Sequence, residues 1–154
     1  MDFTFQVLNN TRGIFSKIIN NNSLEDLNKI PKGFNNNIIW NIAHIVVSQQ
    51  LLAYRLSGLE STLSDEMINK YRKDTKPEGD ISQDEVNDIQ ELLFSTLKKT
   101  KEDYSKGVFK TYNEYTVSTT GNTLTNINEA LQFVTIHEGI HYGYVLALLK
   151  AIKN

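Results

Sequence analysis

Residues 38–47 read Ile38-Ile39-Trp40-Asn41-Ile42-Ala43-His44-Ile45-Val46-Val47, and this stretch decides the fold. The helix it predicts runs from about Asn36 to Ser57 and is apolar almost all round. A helix without a polar face is one that neighbours cover on every side. Gly58 is placed to cap its C-terminus.

Three further helical patterns surround it. The first spans Asp2 to Asn20, with Val7, Leu8, Ile14, Phe15, Ile18 and Ile19 as its apolar stripe. The run Asn20-Asn21-Asn22 ends it, and a short turn, Ser23-Leu24-Glu25-Asp26-Leu27, leads to the breakers Pro31 and Gly33. A long connection, Leu59 to Ile81, carries a possible short helix near Ser64 to Lys70, then Pro77 and Gly79. The third long helix opens at Ser82-Gln83-Asp84-Glu85, the spacing of a capping box, with the stripe Val86, Ile89, Leu93, Leu97 and Tyr104. Gly107 to Thr123 is a polar loop, rich in Thr and Tyr, that could pair briefly as strands. The fourth long helix runs from Asn126 to about Lys150, with Asn126 and Glu129 in a box-like spacing.

Four helices, each too apolar on one face to stand alone, predict an all-α four-helix bundle formed by a single domain over residues 1–154. The connection between the second and third helices is longer than an antiparallel hairpin needs. It is expected to be a crossover that leaves those two helices parallel.

Composition narrows the function. The 154 residues carry a net charge of −2 and a pI near 5.9, which argues against electrostatic capture of nucleic acid. No cysteine is present, so thiolate ligands and a cysteine nucleophile are excluded, and any thiol chemistry needs an external thiol. No stretch approaches the length of a membrane span. The start, Met1-Asp2-Phe3-Thr4-Phe5, lacks a basic region followed by an apolar run. The expected location is the cytoplasm, with no membrane partner.

There are three histidines, and all fall on apolar helical segments. His137 and His141 are four apart in His137-Glu138-Gly139-Ile140-His141, so they share a helix face. His44 aligns with Trp40, Val47 and Leu51, and the late pair with Val134, Val145 and Leu148. A single histidine on such a face is ordinarily a satisfied core residue. Three together, buried without common purpose, would cost about 1–3 kcal/mol for each unsatisfied polar group. A metal ion removes that penalty, and three imidazoles with an open position is an arrangement of catalytic zinc. The candidate ligands are therefore His44, His137 and His141.

His137 to His141 also spells His-Glu-x-x-His, the metallopeptidase motif. A zincin takes its third ligand from downstream, and no His, Glu or Asp follows His141, so a peptidase is not expected. Glu138 points about 100° away from His137 around the helix. It is a candidate catalytic base at the pocket rim, a support behind the ligands, or a solvated side chain. Tyr54, Tyr112, Tyr115 and Tyr142 are candidate pocket residues, each with ordinary packing as the simpler role. Asn41, three residues before His44, could orient that histidine or line the pocket mouth.

Taken together, these residues resemble the DinB/YfiT-like family. An early Trp-x-x-x-His helix (Trp40 to His44) is paired with a late His-Glu-x-x-His-x-Gly helix (His137 to Gly143). Asn122-Thr123-Leu124-Thr125 leading to Glu129-Ala130-Leu131, and Pro31-Lys32-Gly33-Phe34 followed by Asn37, are also similar. The order and spacing carry the resemblance, which spans essentially the whole chain. It implies a bundle with a crossover order, a divalent ion on His44, His137 and His141, and often a homodimer. It also implies a small-molecule substrate, with transfer of a low-molecular-weight thiol such as bacillithiol or mycothiol to an electrophile as the leading activity. Metal-dependent hydrolysis, and a non-catalytic metal-binding or dimerising stress protein, are the alternatives. Zinc and nickel are the expected ions, although three imidazoles also accept copper, cobalt, manganese or iron.

Overall fold

The computed structural model describes residues 1–153. In chain order the elements are α1 (Asp2–Asn20), α2 (Leu24–Asn28), α3 (Ile38–Ala53), a 3₁₀ turn (Arg55–Ser57), α4 (Asp65–Tyr71), α5 (Gln83–Ser105), β1 (Tyr115–Thr116), β2 (Thr123–Leu124) and α6 (Ile127–Lys153). The fold is all-α apart from one short antiparallel hairpin, in which Tyr115 pairs with Leu124 and Thr116 with Thr123. Among the described residues no helix is long and apolar enough to cross a membrane.

Local chemistry sets the boundaries. Asn37 Oδ1 accepts from the Trp40 amide at 2.9 Å and starts α3; Gly58, at φ 72°, closes the 3₁₀ turn that follows it. Ser82 Oγ accepts from the Glu85 amide at 3.2 Å, as expected at the head of α5. The other half of that box does not form. Glu85 instead accepts from the Tyr71 hydroxyl at 2.6 Å and from Lys70 Nζ at 2.6 Å, tying α4 to α5. Residues 24–28, expected as part of a turn, form α2. Ser23 Oγ caps the Asp26 amide at 3.1 Å, and burial of Leu27 supplies what a five-residue segment lacks by itself.

Helix α3 packs against both α5 and α6, and so does α1, which makes α5 and α6 the shared neighbours of α1 and α3. The connection between α3 and α5 is occupied by α4, which packs on α3. Nearly every residue of α3 is buried, as its all-round apolar pattern requires.

The core is two apolar clusters. One gathers Phe15 and Ile18 of α1, Ile38 to Val47 of α3, Leu93 of α5 and Val145 of α6. The other gathers Phe5, Leu8, Leu52, Leu97 and Val134 with the hairpin residues Val117 and Leu124. On each long helix a polar residue falls between the two: Arg12 on α1, Gln49 on α3, Thr96 on α5 and Glu138 on α6, all buried. The α1 stripe therefore runs Phe5, Leu8, Arg12, Phe15, Ile19, and Ile14, expected to belong to it, is exposed.

These four side chains form one network. Arg12 donates from Nε and Nη2 to Glu138 Oε1 at 3.0 and 2.9 Å. Its Nη1 donates to the Leu93 carbonyl at 2.8 Å and to Thr96 Oγ1 at 3.0 Å. Gln49 Oε1 lies 3.5 Å from Nη2, and Gln49 Nε2 donates to Thr100 Oγ1 at 2.9 Å. Burial pushes the Glu138 carboxyl upward in pKa, and the Arg12 charge and hydrogen bonds oppose that.

Removing one partner of such a pair leaves an uncompensated buried charge. Arg12→Ala is expected to lower unfolding free energy by about 3–5 kcal/mol, whereas Arg12→Met with Glu138→Leu should restore most of it. Urea denaturation of the two variants decides this; an Arg12→Ala protein as stable as wild type would refute it.

Candidate metal centre

His44 reaches the site from α3, and His137 and His141 reach it from successive turns of α6. One ring nitrogen from each lies within 4.8 Å of the others. Ring centroids are 5.2 Å apart for His44 and His137, 4.8 Å for His44 and His141, and 4.5 Å for His137 and His141. Trp40, one turn before His44, stacks on its ring at 4.8 Å with planes 10° apart.

The neighbours fix two of the three tautomers. His44 Nδ1 is 2.7 Å from the Tyr71 carbonyl, which can only accept, so Nδ1 carries the proton and Nε2 the lone pair. Ser48 Oγ stands 3.2 Å from that Nε2. His141 Nδ1 is 2.8 Å from Asn41 Oδ1. The Asn41 amide is itself oriented, because its Nδ2 donates to the Asn37 carbonyl at 2.7 Å and to Asn36 Oδ1 at 2.9 Å. His141 therefore also holds its proton on Nδ1 and presents Nε2. Asn41 thus orients His141, across from α3 to α6, rather than His44.

His137 makes no protein hydrogen bond among the described residues, and its buried Nδ1 has no partner. A buried orphan nitrogen beside two imidazoles that present unprotonated Nε2 atoms is a donor set that fits a divalent ion. Burial lowers the pKa of all three rings, to about 4 for His137 and about 3 for His141, with the neighbouring histidine charges adding to the shift in those two. All three are neutral at pH 7, the form a metal requires.

The three rings face a cavity of about 380 Å³. Its walls are largely apolar and include Leu51 and Leu52 of α3, Phe133 and Ile140 of α6, and Val117 of the hairpin. A cavity of this size accepts a small molecule. Of the tyrosines considered, Tyr115 lines it. Tyr54 donates to Asp103 at 2.7 Å, Tyr112 donates to the Leu52 carbonyl at 3.0 Å, and Tyr142 packs edge-on against Phe15. None of those three belongs to the cavity wall.

Glu138 is fully buried and turned to Arg12, away from the cavity. It is neither solvated nor at the rim; it sits behind the ligands and anchors the helix that carries them.

The cavity residues not anticipated include Ser48, Phe133, Arg55 and Lys73. Ser48, Leu51, Leu52 and Arg55 follow His44 along one helix face, and Phe133 precedes His137 by four, so periodicity could have placed them. Lys73 lies beyond α4, where no period exists to read.

The pKa values give a directional test. Between the folded values and about 6.5 the unfolded chain binds protons that the folded chain does not. Metal-free stability is therefore complete above pH 6.5 and falls as pH drops towards 4, by up to about 1.4 kcal/mol per pH unit for each of His137 and His141. Urea midpoints of metal-free protein at pH 7.5 and 5 check this, and equal histidine contributions at the two values, isolated with His137→Phe, would contradict it. Asn41→Ala frees the His141 ring and is expected to weaken metal binding about 10–100-fold, read by competition with a chromophoric chelator.

No curated protein matches the chain. Residues 8–145 match the family model described as the DinB superfamily. That match runs from within α1 through most of α6 and includes the three convergent histidines. The chain belongs to the DinB superfamily.

Proposed function

We propose that this protein is a cytoplasmic metal-dependent enzyme that joins a low-molecular-weight thiol to a small electrophile. The observation that carries the reading is the convergence of His44, His137 and His141 on the wall of an apolar cavity. Three neutral imidazoles leave coordination positions for a ligand from solution. A closed structural site would have no use for the adjoining space.

A divalent ion held by the three histidines, zinc or nickel in our reading, would supply Lewis acidity that lowers the pKa of a thiol or water. The protein's own residues do the rest. The Tyr71 carbonyl and Asn41 Oδ1 hold two rings with their lone pairs forward. Trp40 covers the back of His44. Phe133, Leu52 and Val117 give the space beside the rings an apolar wall. The absence of cysteine requires that the thiol come from outside the chain.

A metal-dependent hydrolase is the second reading, since the same activation applies to water. It is the weaker one because the cavity wall has no carboxylate to serve as general base among the described residues. A homodimer is part of the proposal. Helix α6 exposes Ile136, Ile140 and Leu146 beside Gly139 and Gly143, where an added side chain would meet nothing. An apolar face of this kind is suited to a second copy.

The test combines metal analysis with a conjugation assay. Wild type should take up about one divalent ion per chain and, loaded, consume bacillithiol or a model thiol with an electrophilic dye; His141→Ala should lose both the ion and at least about 100-fold in rate. Ester hydrolysis without thiol consumption would replace the transferase by the hydrolase. Failure to take up metal would end the enzymatic reading, and a monomer by light scattering would remove the dimer.

A further inference from the structure

The cavity beside the histidines is not electrically neutral. Two cations, Arg55 and Lys73, line it, and no carboxylate does so among the described residues. The chain as a whole carries −2, so this concentration of positive charge is local.

Arg55 is exposed and forms no ion pair among the described residues. Arg55 also lines a second cavity, which contains Glu60 and Asp65, and among the described residues neither acid pairs with it. Lys73 donates to Ser118 Oγ of the hairpin turn at 2.9 Å, which holds the ammonium at the cavity mouth without neutralising it.

The layout along α3 is ordered. His44, Ser48, Leu52 and Arg55 share one face, and all line the cavity. Arg55 stands eleven positions after His44, in the 3₁₀ turn that follows α3, roughly 16 Å further along the axis. Between them the wall is Leu51, Leu52, Phe133 and Val117. The cavity thus has a metal-ligating end, an apolar middle and a guanidinium end.

We infer that the substrate is an elongated anionic small molecule, an apolar chain or ring bearing a carboxylate, sulfonate or phosphate. Its anionic group binds Arg55, with Lys73 drawing it in at the mouth, and its reactive end lies at the histidines. The inference deepens the proposed function and rests on it for the identity of the reacting end. The anion subsite itself rests on Arg55 and Lys73. Arginine suits this task because its planar fork meets an oxyanion with two parallel hydrogen bonds. An ion on three neutral imidazoles adds further uncompensated positive charge, which favours the same sign of ligand.

The test uses three eight-carbon probes that differ in head group: octanoate, 1-octanol and octylammonium. Calorimetric titration into metal-free protein at fixed ionic strength should show octanoate binding at least about tenfold more tightly than the other two. Arg55→Ala should remove that preference while leaving 1-octanol binding unchanged, and Arg55→Lys should retain part of it. Lys73→Ala should weaken octanoate binding by less than Arg55→Ala does. Both side chains are exposed, and circular dichroism checks that the variants fold.

Equal binding of octanoate and 1-octanol, or an octanoate affinity indifferent to Arg55→Ala, overturns the inference. Because the protein is metal-free, failure of the metal site leaves this result standing. Conversely, a metal-loaded protein without the anion preference would retain the proposed activity and lose the substrate class.

Discussion

The ion pair between Arg12 and Glu138 is the constraint on which the rest of the molecule depends. Both side chains are completely buried, so the two charges can exist there only in each other's company. Glu138 lies immediately after His137 and three residues before His141. A helix turns about 100° per residue, so a rotation of α6 that broke the pair would also swing both imidazoles out of the cavity. Fixing one carboxylate oxygen in the core therefore sets the direction of two ligands on the neighbouring face.

The same layer divides the core into two apolar clusters and ties α1, α3, α5 and α6 together at one level. Apolar packing alone tolerates sliding of one helix along another, because hydrophobic contact is not directional. Hydrogen bonds from a planar guanidinium to three other helices are directional. They fix the relative height of the helices, which is what a site drawn from two of them requires.

Support for the ligands also comes from segments that lie outside the long helices. Tyr71, the last residue of α4, offers its carbonyl to His44 and its hydroxyl to Glu85 of α5. The short helix in the long connection is thus held by its side chain and acts through its backbone. Asn41 takes the corresponding role for His141 and is held in turn by Asn36 and Asn37 ahead of α3. The connection that looks like mere length in the sequence is part of the candidate metal centre, and so is the turn before α3.

The four long helices, the hairpin and the three histidines were legible in the sequence because each is a local or periodic signal. An apolar stripe reports a buried face, a serine or asparagine reports a cap, and two histidines four apart report a shared face. Glu138 was left open among three roles by the same route. A carboxylate is assigned to solvent unless a partner is known, and its partner lies 126 positions away in α1. Arg12 had the complementary signal, a charge in line with Phe5, Leu8 and Phe15, which makes sense only once Glu138 is beside it. What the sequence by itself determined was which segments are helical, which faces are apolar and that three imidazoles lie on those faces, since all of this follows from neighbours a few residues apart. What only the tertiary structure decided was that Arg12 and Glu138 meet, that Tyr71 and Asn41 set the histidine tautomers, and that Arg55 and Lys73 share one cavity. Those contacts join residues distant in the chain, and no local period encodes them.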